Sequence, residues 1–127
     1  IIPGRQKEIT GISHALIKAF QHIENCIHRL GELGIEADLI MMHPYDRWGF
    51  SQMQNEQDDL YWNYAVARFS AFANVWWSLA NEYDLMPHKQ FRIGSDMHQF
   101  CVKRDPYHHM RSIHNCVSCT IFQDRGL

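Results

Sequence analysis

The sequence contains no apolar run near the roughly 18 residues that a membrane span needs. It has no internal repeat and no low-complexity tract. It also lacks an excess of either charge: Lys plus Arg number 12 against 14 for Asp plus Glu, a formal net charge of −2. Without a basic stripe, nucleic acid and anionic membrane surfaces are not expected partners. Cysteine is sparse, at positions 26, 101, 116 and 119. With 46% hydrophobic residues the chain can build a core without a disulfide scaffold. Four thiols with no obvious pairing lean slightly toward a reducing compartment such as the cytoplasm. No signal peptide precedes the first helical stretch, and a chain beginning with Ile can begin inside a larger protein, so the compartment stays open. What remains is ordinary globular composition. The 127 residues allow one domain at most. They are about half of the roughly 250 residues of a (β/α)8 barrel.

Periodicity organises the chain. Residues 1–12, with Pro3 and Gly4, read as a loose lead-in. Leu16, Ala19, Phe20, Ile23, Ile27, Leu30 and Leu33 form one stripe of a helix over 13–33, which Gly34 terminates. The run Ala37-Asp38-Leu39-Ile40-Met41-Met42 reads as a strand buried on both faces. A loop punctuated by Pro44 and Gly49 follows. Asn55 and Asp58 then suggest the start of a second helix, with Leu60, Tyr64, Ala67 and Ala71 inward and an end near Phe72. Val75-Trp76-Trp77-Ser78-Leu79-Ala80 is a second buried strand, with one Trp on each face. A third helix, 95–104, presents Met97, Phe100 and Cys101, and Asp105-Pro106 breaks it. Met110-Arg111-Ser112-Ile113 is a third strand, and residues 116–127 form an irregular tail. Helices alternating with short strands predict an α/β fold with a parallel sheet. A doubly wound sheet and a piece of a barrel both fit.

In such folds, sites lie at the C-terminal ends of strands. Here those ends carry His43, Asn81-Glu82 and His114-Asn115. Strands commonly run into polar loops, so each position alone says little; the three together are more informative. Glu82 follows a strongly apolar strand and stands near Trp76, Trp77 and Tyr83, surroundings that suit a general acid. Two other chemistries compete. His108, His109, His114, Cys116 and Cys119 are zinc-type ligands, but no second knuckle accompanies them. Cys116-Val-Ser-Cys119 could be a redox pair, although no helix clearly follows it. His108-His109 reads more simply as a solvated pair in the loop after Pro106.

The stretch from Asn63 to Asp84, containing Val75-Trp-Trp-Ser-Leu-Ala-Asn-Glu82, resembles the third helix and fourth strand of clan-A glycoside hydrolases. His43-Pro-Tyr-Asp-Arg-Trp-Gly-Phe50 resembles a loop after their third strand. Asp105-Pro-Tyr-His-His-Met-Arg-Ser-Ile-His-Asn115 resembles the approach to their fifth. The closer likeness is to the bacterial apiosidase-like, collagen-binding-tailed glycosidase group, over about residues 13–115. This resemblance implies a partial TIM (β/α)8 barrel, about helix 2 to strand 5, acting on a carbohydrate substrate. It implies Glu82 as acid/base and Asn81 as partner of the sugar hydroxyl beside the anomeric carbon. His43, Tyr45, Trp48, His114 and Asn115 would line the sugar site, Trp48 being equally readable as an anchor on the rim. Cofactors are not implied, and neither is a metal. In the family the nucleophile is a Glu at the end of strand 7, beyond this chain, so the chain alone is expected to be inactive. Its open sheet edges are expected to promote self-association. A non-catalytic carbohydrate- or partner-binding module would share the same aromatics.

Overall fold

The computed structural model describes the backbone of residues 3–117 and the side chains of residues 16–117. Helices α1 (Pro3–Glu32), α2 (Asn55–Phe69) and α3 (His98–Arg104) alternate with strands β1 (Ala37–Ile40), β2 (Val75–Ser78) and β3 (Arg111–Ser112). The strands form one parallel sheet in the order β1-β2-β3. The chain is therefore α/β, as its periodicity predicts. Ala37 pairs with Val75 and Ile40 with Ser78, while Trp77 and Ser78 pair with Arg111 and Ser112.

A strand order without reversal, joined by right-handed crossovers, places the intervening helices on one face of the sheet. The core lies on that face. Ile27 of α1, Trp62, Val66 and Phe69 of α2, and Cys101 of α3 pack with Val75 and Trp77 of β2. On the other face Asp38 and Ile40 are exposed, and Trp76 is half-buried. The sheet is singly wound over the described residues. β1 is consequently not buried on both faces as its apolar run suggests. It is an edge strand covered on one side, and its Ile40 is 51% exposed. Trp76 and Trp77 do separate to opposite faces, as the two-residue period of a strand requires.

Helix α1 begins at Pro3, so the expected lead-in is helical. Proline has a fixed φ and no N–H, which suits the first helical turn, where that N–H would lack a partner. The helix ends where Gly34 takes φ +69°. There Ile35 N–H reaches Leu30 O at 2.9 Å and Gly34 N–H reaches Gly31 O at 3.0 Å, closing a Schellman turn. Only part of the expected stripe turns inward: Phe20, Ile27 and Leu30 pack on the core, whereas Leu16, Ile23 and Leu33 are exposed. Asn74 secures the helix end, donating from Nδ2 to Ile27 O (2.9 Å) and Ile35 O (3.2 Å).

Helix α2 starts from a capping box made by Gln54 and Gln57 rather than from Asn55 and Asp58. It ends at Phe69, before Phe72. Its inward face is Trp62, Ala65, Val66 and Phe69, and the expected inner residues Leu60 and Tyr64 are exposed. Both sets have helical spacing. The set carrying Trp62 and Phe69 buries more apolar area and takes the core. Asp58 can sit on that inward side because Lys89 neutralises it, with Nζ 2.7 Å from each carboxylate oxygen. A π-helical turn, Arg92–Met97, runs into α3. Ile93, Met97 and Cys101 are buried there, and burial pushes the Cys101 thiol up to about 12.

Asp105, at the end of α3, is buried. It accepts bonds from Trp77 Nε1 (2.9 Å), Tyr107 N–H (3.1 Å) and His109 N–H (2.9 Å), with His109 Nδ1 at 3.0 Å. His109 Nε2 lies 3.0 Å from Phe72 O. His109 is therefore not a solvated residue, as its loop position suggests, but a wedge between two elements. Burial pushes the Asp105 carboxyl up, but the bonds from Trp77, His109 and the backbone outweigh it and hold the group below its ordinary 3.8.

A depressed carboxyl contributes stability that is present above its unfolded value and is lost as pH falls through its folded one. The melting temperature should therefore drop on acidification below about pH 4. Asp105→Asn should reduce the unfolding free energy at neutral pH by roughly the 2 kcal/mol of a charge-assisted bond, lower the melting temperature accordingly, and flatten the acid decline. Thermal melts followed by circular dichroism check this. An Asp105→Asn variant with an unchanged acid slope would contradict it.

Candidate active site

The hydrogen-bonded ladder runs on past the regular strands. Met41 N–H donates to Ser78 O (2.9 Å), Asn81 N–H to Met42 O (2.9 Å), and Leu79 N–H to Ser112 O (2.9 Å). His114 N–H then donates to Ala80 O (3.0 Å), and Tyr83 N–H to His114 O (3.1 Å). These bonds set His43, Asn81-Glu82 and His114-Asn115 along the C-terminal edge of the sheet, the edge that carries ligands in parallel α/β folds. His43, Asn81 and Glu82 are half-buried there, and His114 and Asn115 are exposed.

Glu82 occupies the left-handed region, with φ 49° and ψ 48°. That conformation is uncommon for a residue with a Cβ and is held by its surroundings. Bonds from Asn81 N–H and Tyr83 N–H fix the residues on either side, and Leu85 N–H donates to Glu82 O at 3.0 Å. The backbone thus turns sharply from β2 into the short helical turn Tyr83–Leu85. The Tyr45 hydroxyl donates to Glu82 Oε2. This bond to the carboxylate pushes the Tyr45 phenol above its ordinary 10.0. Trp77, expected beside Glu82, is turned to the helix-covered face, where it binds Asp105.

The loop carrying Tyr45 is built around Asp46. Its Oδ1 accepts from the N–H groups of Trp48 (2.9 Å), Gly49 (2.6 Å) and Phe50 (2.9 Å), and its Oδ2 from Ser51 N–H (2.7 Å). The bonds from Ser51, Phe50 and Gly49 hold the Asp46 carboxyl well below the usual carboxylate range. Gly49 takes φ +93°, which a side chain would strain. His88 Nε2 donates to Ser51 O at 2.8 Å, bracing the loop from the segment after Glu82. From this frame Tyr45 and Trp48 project, 62% and 82% exposed. Among the described residues the Trp48 indole is open to solvent.

Asp84 also has a structural task, accepting from Cys116 N–H and Val117 N–H, both at 2.8 Å. The two rim carboxylates other than Glu82, Asp46 and Asp84, are thus both engaged by backbone N–H groups. The structure brings Glu82 and Tyr45 into contact and lines up the backbone at His43, Asn81 and His114, while Trp48 stands apart. Sequence reasoning overlooked Asp46 as the loop's centre, although an Asp shortly before a Gly is a signal for side-chain-to-backbone turns. It also overlooked His88 and the Lys89–Asp58 pair, which only tertiary contacts disclose. Among the described residues no group of three His, Cys, Asp or Glu is placed to hold a metal, and Cys119 of the expected Cys pair lies outside them. Among the same residues no helix is long and apolar enough to cross a membrane.

No protein-family model matches the chain, and no curated protein does. A solved structure does. It is a protein of Bacteroides vulgatus ATCC 8482, provisionally described as a glycoside hydrolase, with 46% identity and a TM-score of 0.75 over 82% of this chain. The chain spans 20% of that protein's length. It is thus similar, in sequence and in fold, to one part of that protein.

Removing the centre of the loop should release it. In Asp46→Ala the amides of residues 48–51 should exchange hydrogen at least tenfold faster, as expected when local closure is lost, while the amides of β2 keep their protection. Hydrogen exchange read by mass spectrometry or NMR tests this. Unchanged exchange over 48–51 would show that the four bonds do not hold the loop.

Proposed function

We propose that this chain is the central segment, about helix 2 to strand 5, of a (β/α)8 glycoside hydrolase, with Glu82 as its general acid/base. The observation that carries the reading is Glu82 itself: a carboxylate at the C-terminal end of the middle strand, hydrogen-bonded to Tyr45, in a chain 46% identical to part of a protein provisionally described as a glycoside hydrolase. The singly wound sheet supports the barrel. Its helices cover one face and leave Asp38, Ile40 and Trp76 on the other, which is how a strand segment looks when the rest of a barrel would fill its interior.

In this reading Glu82 protonates the departing glycosidic oxygen and later takes a proton from the attacking water, through an oxocarbenium-like transition state. Asn81 hydrogen-bonds the sugar hydroxyl beside the anomeric carbon. The exposed rings of Tyr45 and Trp48 pack on apolar sugar faces, and His43, His114 and Asn115 supply hydroxyl partners. The resemblance to the apiosidase-like glycosidase group implies a Glu nucleophile at the end of strand 7, roughly 5 Å from the acid in a retaining enzyme; Asp46 and Asp84, which accept backbone N–H bonds, do not match it. This reading implies no cofactor or metal.

In the full-length protein, Glu82→Gln should lower kcat on glycosides with poor leaving groups by roughly 100- to 10,000-fold. The isolated 127-residue chain should release no phenol from aryl glycosides, and its open β1 and β3 edges should make it associate on size-exclusion chromatography. A fully active Glu82→Gln protein would exclude Glu82 as the acid. Turnover by the isolated chain would show that the second carboxylate is already present.

A further inference from the structure

The contact between Tyr45 and Glu82 assigns a division of labour between the two carboxylate oxygens, and this rests on the glycosidase reading above. We propose that Tyr45 is a positioning residue for Glu82. Its hydroxyl occupies Oε2, which leaves Oε1 as the oxygen that delivers and recovers the catalytic proton.

Four observations bear on this. The Tyr45 hydroxyl donates to Oε2 rather than to Oε1, so the two carboxylate oxygens are not equivalent. The Glu82 backbone is held in the left-handed region with its neighbours fixed by bonds to Met42 and His114, so the side chain starts from a fixed root. The Tyr45 ring stands on a loop whose next residues are clamped by the four N–H bonds to Asp46. Finally, Tyr45 is 62% exposed, so its ring can remain a sugar-facing surface while its hydroxyl holds the acid.

The proton balance is simple. Glu82 begins protonated on Oε1. That proton passes to the glycosidic oxygen as the bond from this oxygen to the anomeric carbon breaks, and the bonding electron pair stays with the leaving oxygen. A carboxylate from the rest of the protein meets the positive charge at the anomeric carbon. Glu82 is left as a carboxylate, and the Tyr45 bond becomes charge-assisted at that moment, so it is stronger after proton transfer than before it. An interaction that strengthens along the reaction lowers the barrier instead of merely binding substrate. When water later attacks the anomeric carbon, its proton returns to Oε1. Tyr45 keeps its own proton throughout.

The test uses the full-length protein and the variants Tyr45→Phe, Tyr45→Ala and Glu82→Gln. The probes are the phenyl and dinitrophenyl glycosides of whichever sugar it hydrolyses in a panel of aryl pentosides, hexosides and deoxyhexosides. Phenol needs a proton to depart, and dinitrophenol does not. Tyr45→Phe keeps the ring and removes the hydroxyl. It should lower kcat on the phenyl glycoside roughly 10- to 100-fold, the loss of one charge-assisted bond. It should change KM little, and it should leave the dinitrophenyl glycoside within about twofold in the glycosylation step. Tyr45→Ala should add a rise in KM on both probes. Equal losses on both probes in Tyr45→Phe would mean a structural role, and a rise in KM alone would mean simple substrate contact; either overturns the proposal. If Glu82→Gln discriminates between the leaving groups and Tyr45→Phe does not, the positioning role fails while the glycosidase reading stands. If no glycoside in the panel is hydrolysed, both fail.

Discussion

Asp105 ties the sheet to the connection that follows α3, and the edge of the sheet where Glu82 sits depends on that tie. The Trp77 indole reaches it from the middle strand, and the His109 ring and backbone reach it from the segment leading into β3. His109 also meets Phe72 O, at the end of the connection from α2 to β2. One buried carboxylate therefore fixes how far the chain after α3 advances before it pairs with β2. That register sets Ser112 beside Ser78 and, two residues on, His114 beside Ala80. A shift of one residue would reverse the faces of β3 and remove His114 from the edge.

Above this base, the segments that carry the strand-end residues and the loop rings are held by buried or clamped charges more than by apolar packing. Asp46 organises the loop that holds Tyr45 and Trp48. Lys89 lies buried against Asp58 and also donates to Met53 O at 2.8 Å, which links the segment after Glu82 to the start of α2. Buried ion pairs add little net stability, but losing one partner leaves an uncompensated charge. Such ties are well suited to fixing position. The result is a rim tied at several points, from which two aromatic rings project, with Tyr45 the point where the loop touches the strand end.

The sequence showed the alternation of helices and strands, the stop at Gly34 and the polar residues at three strand ends, because each is a local pattern with a local cause. It did not show which stripe of α2 turns inward: Leu60 and Tyr64 have the same spacing as Trp62 and Phe69, and only the shape of the packed core decides between them. The apolar run of β1 likewise cannot say whether one face or two will be covered. His109 looked like a loop residue because its partners, Asp105 and Phe72, meet it only in the folded chain. Glu82, Asn81, His43 and His114 were legible as strand-end residues. The Tyr45–Glu82 bond was not, because it joins positions 37 apart in the chain.

The central claim is that Glu82 moves the proton in a glycoside hydrolase of which this chain is a part. The most direct measurement is rescue of Glu82→Ala by azide in the full-length protein, with an activated aryl glycoside as substrate. The account predicts slow turnover that azide accelerates, with a glycosyl azide as product, because the small anion replaces the water that Glu82 would have activated. A Glu82→Ala protein that retains wild-type rates, or one whose turnover azide leaves unchanged with no glycosyl azide formed, would contradict it.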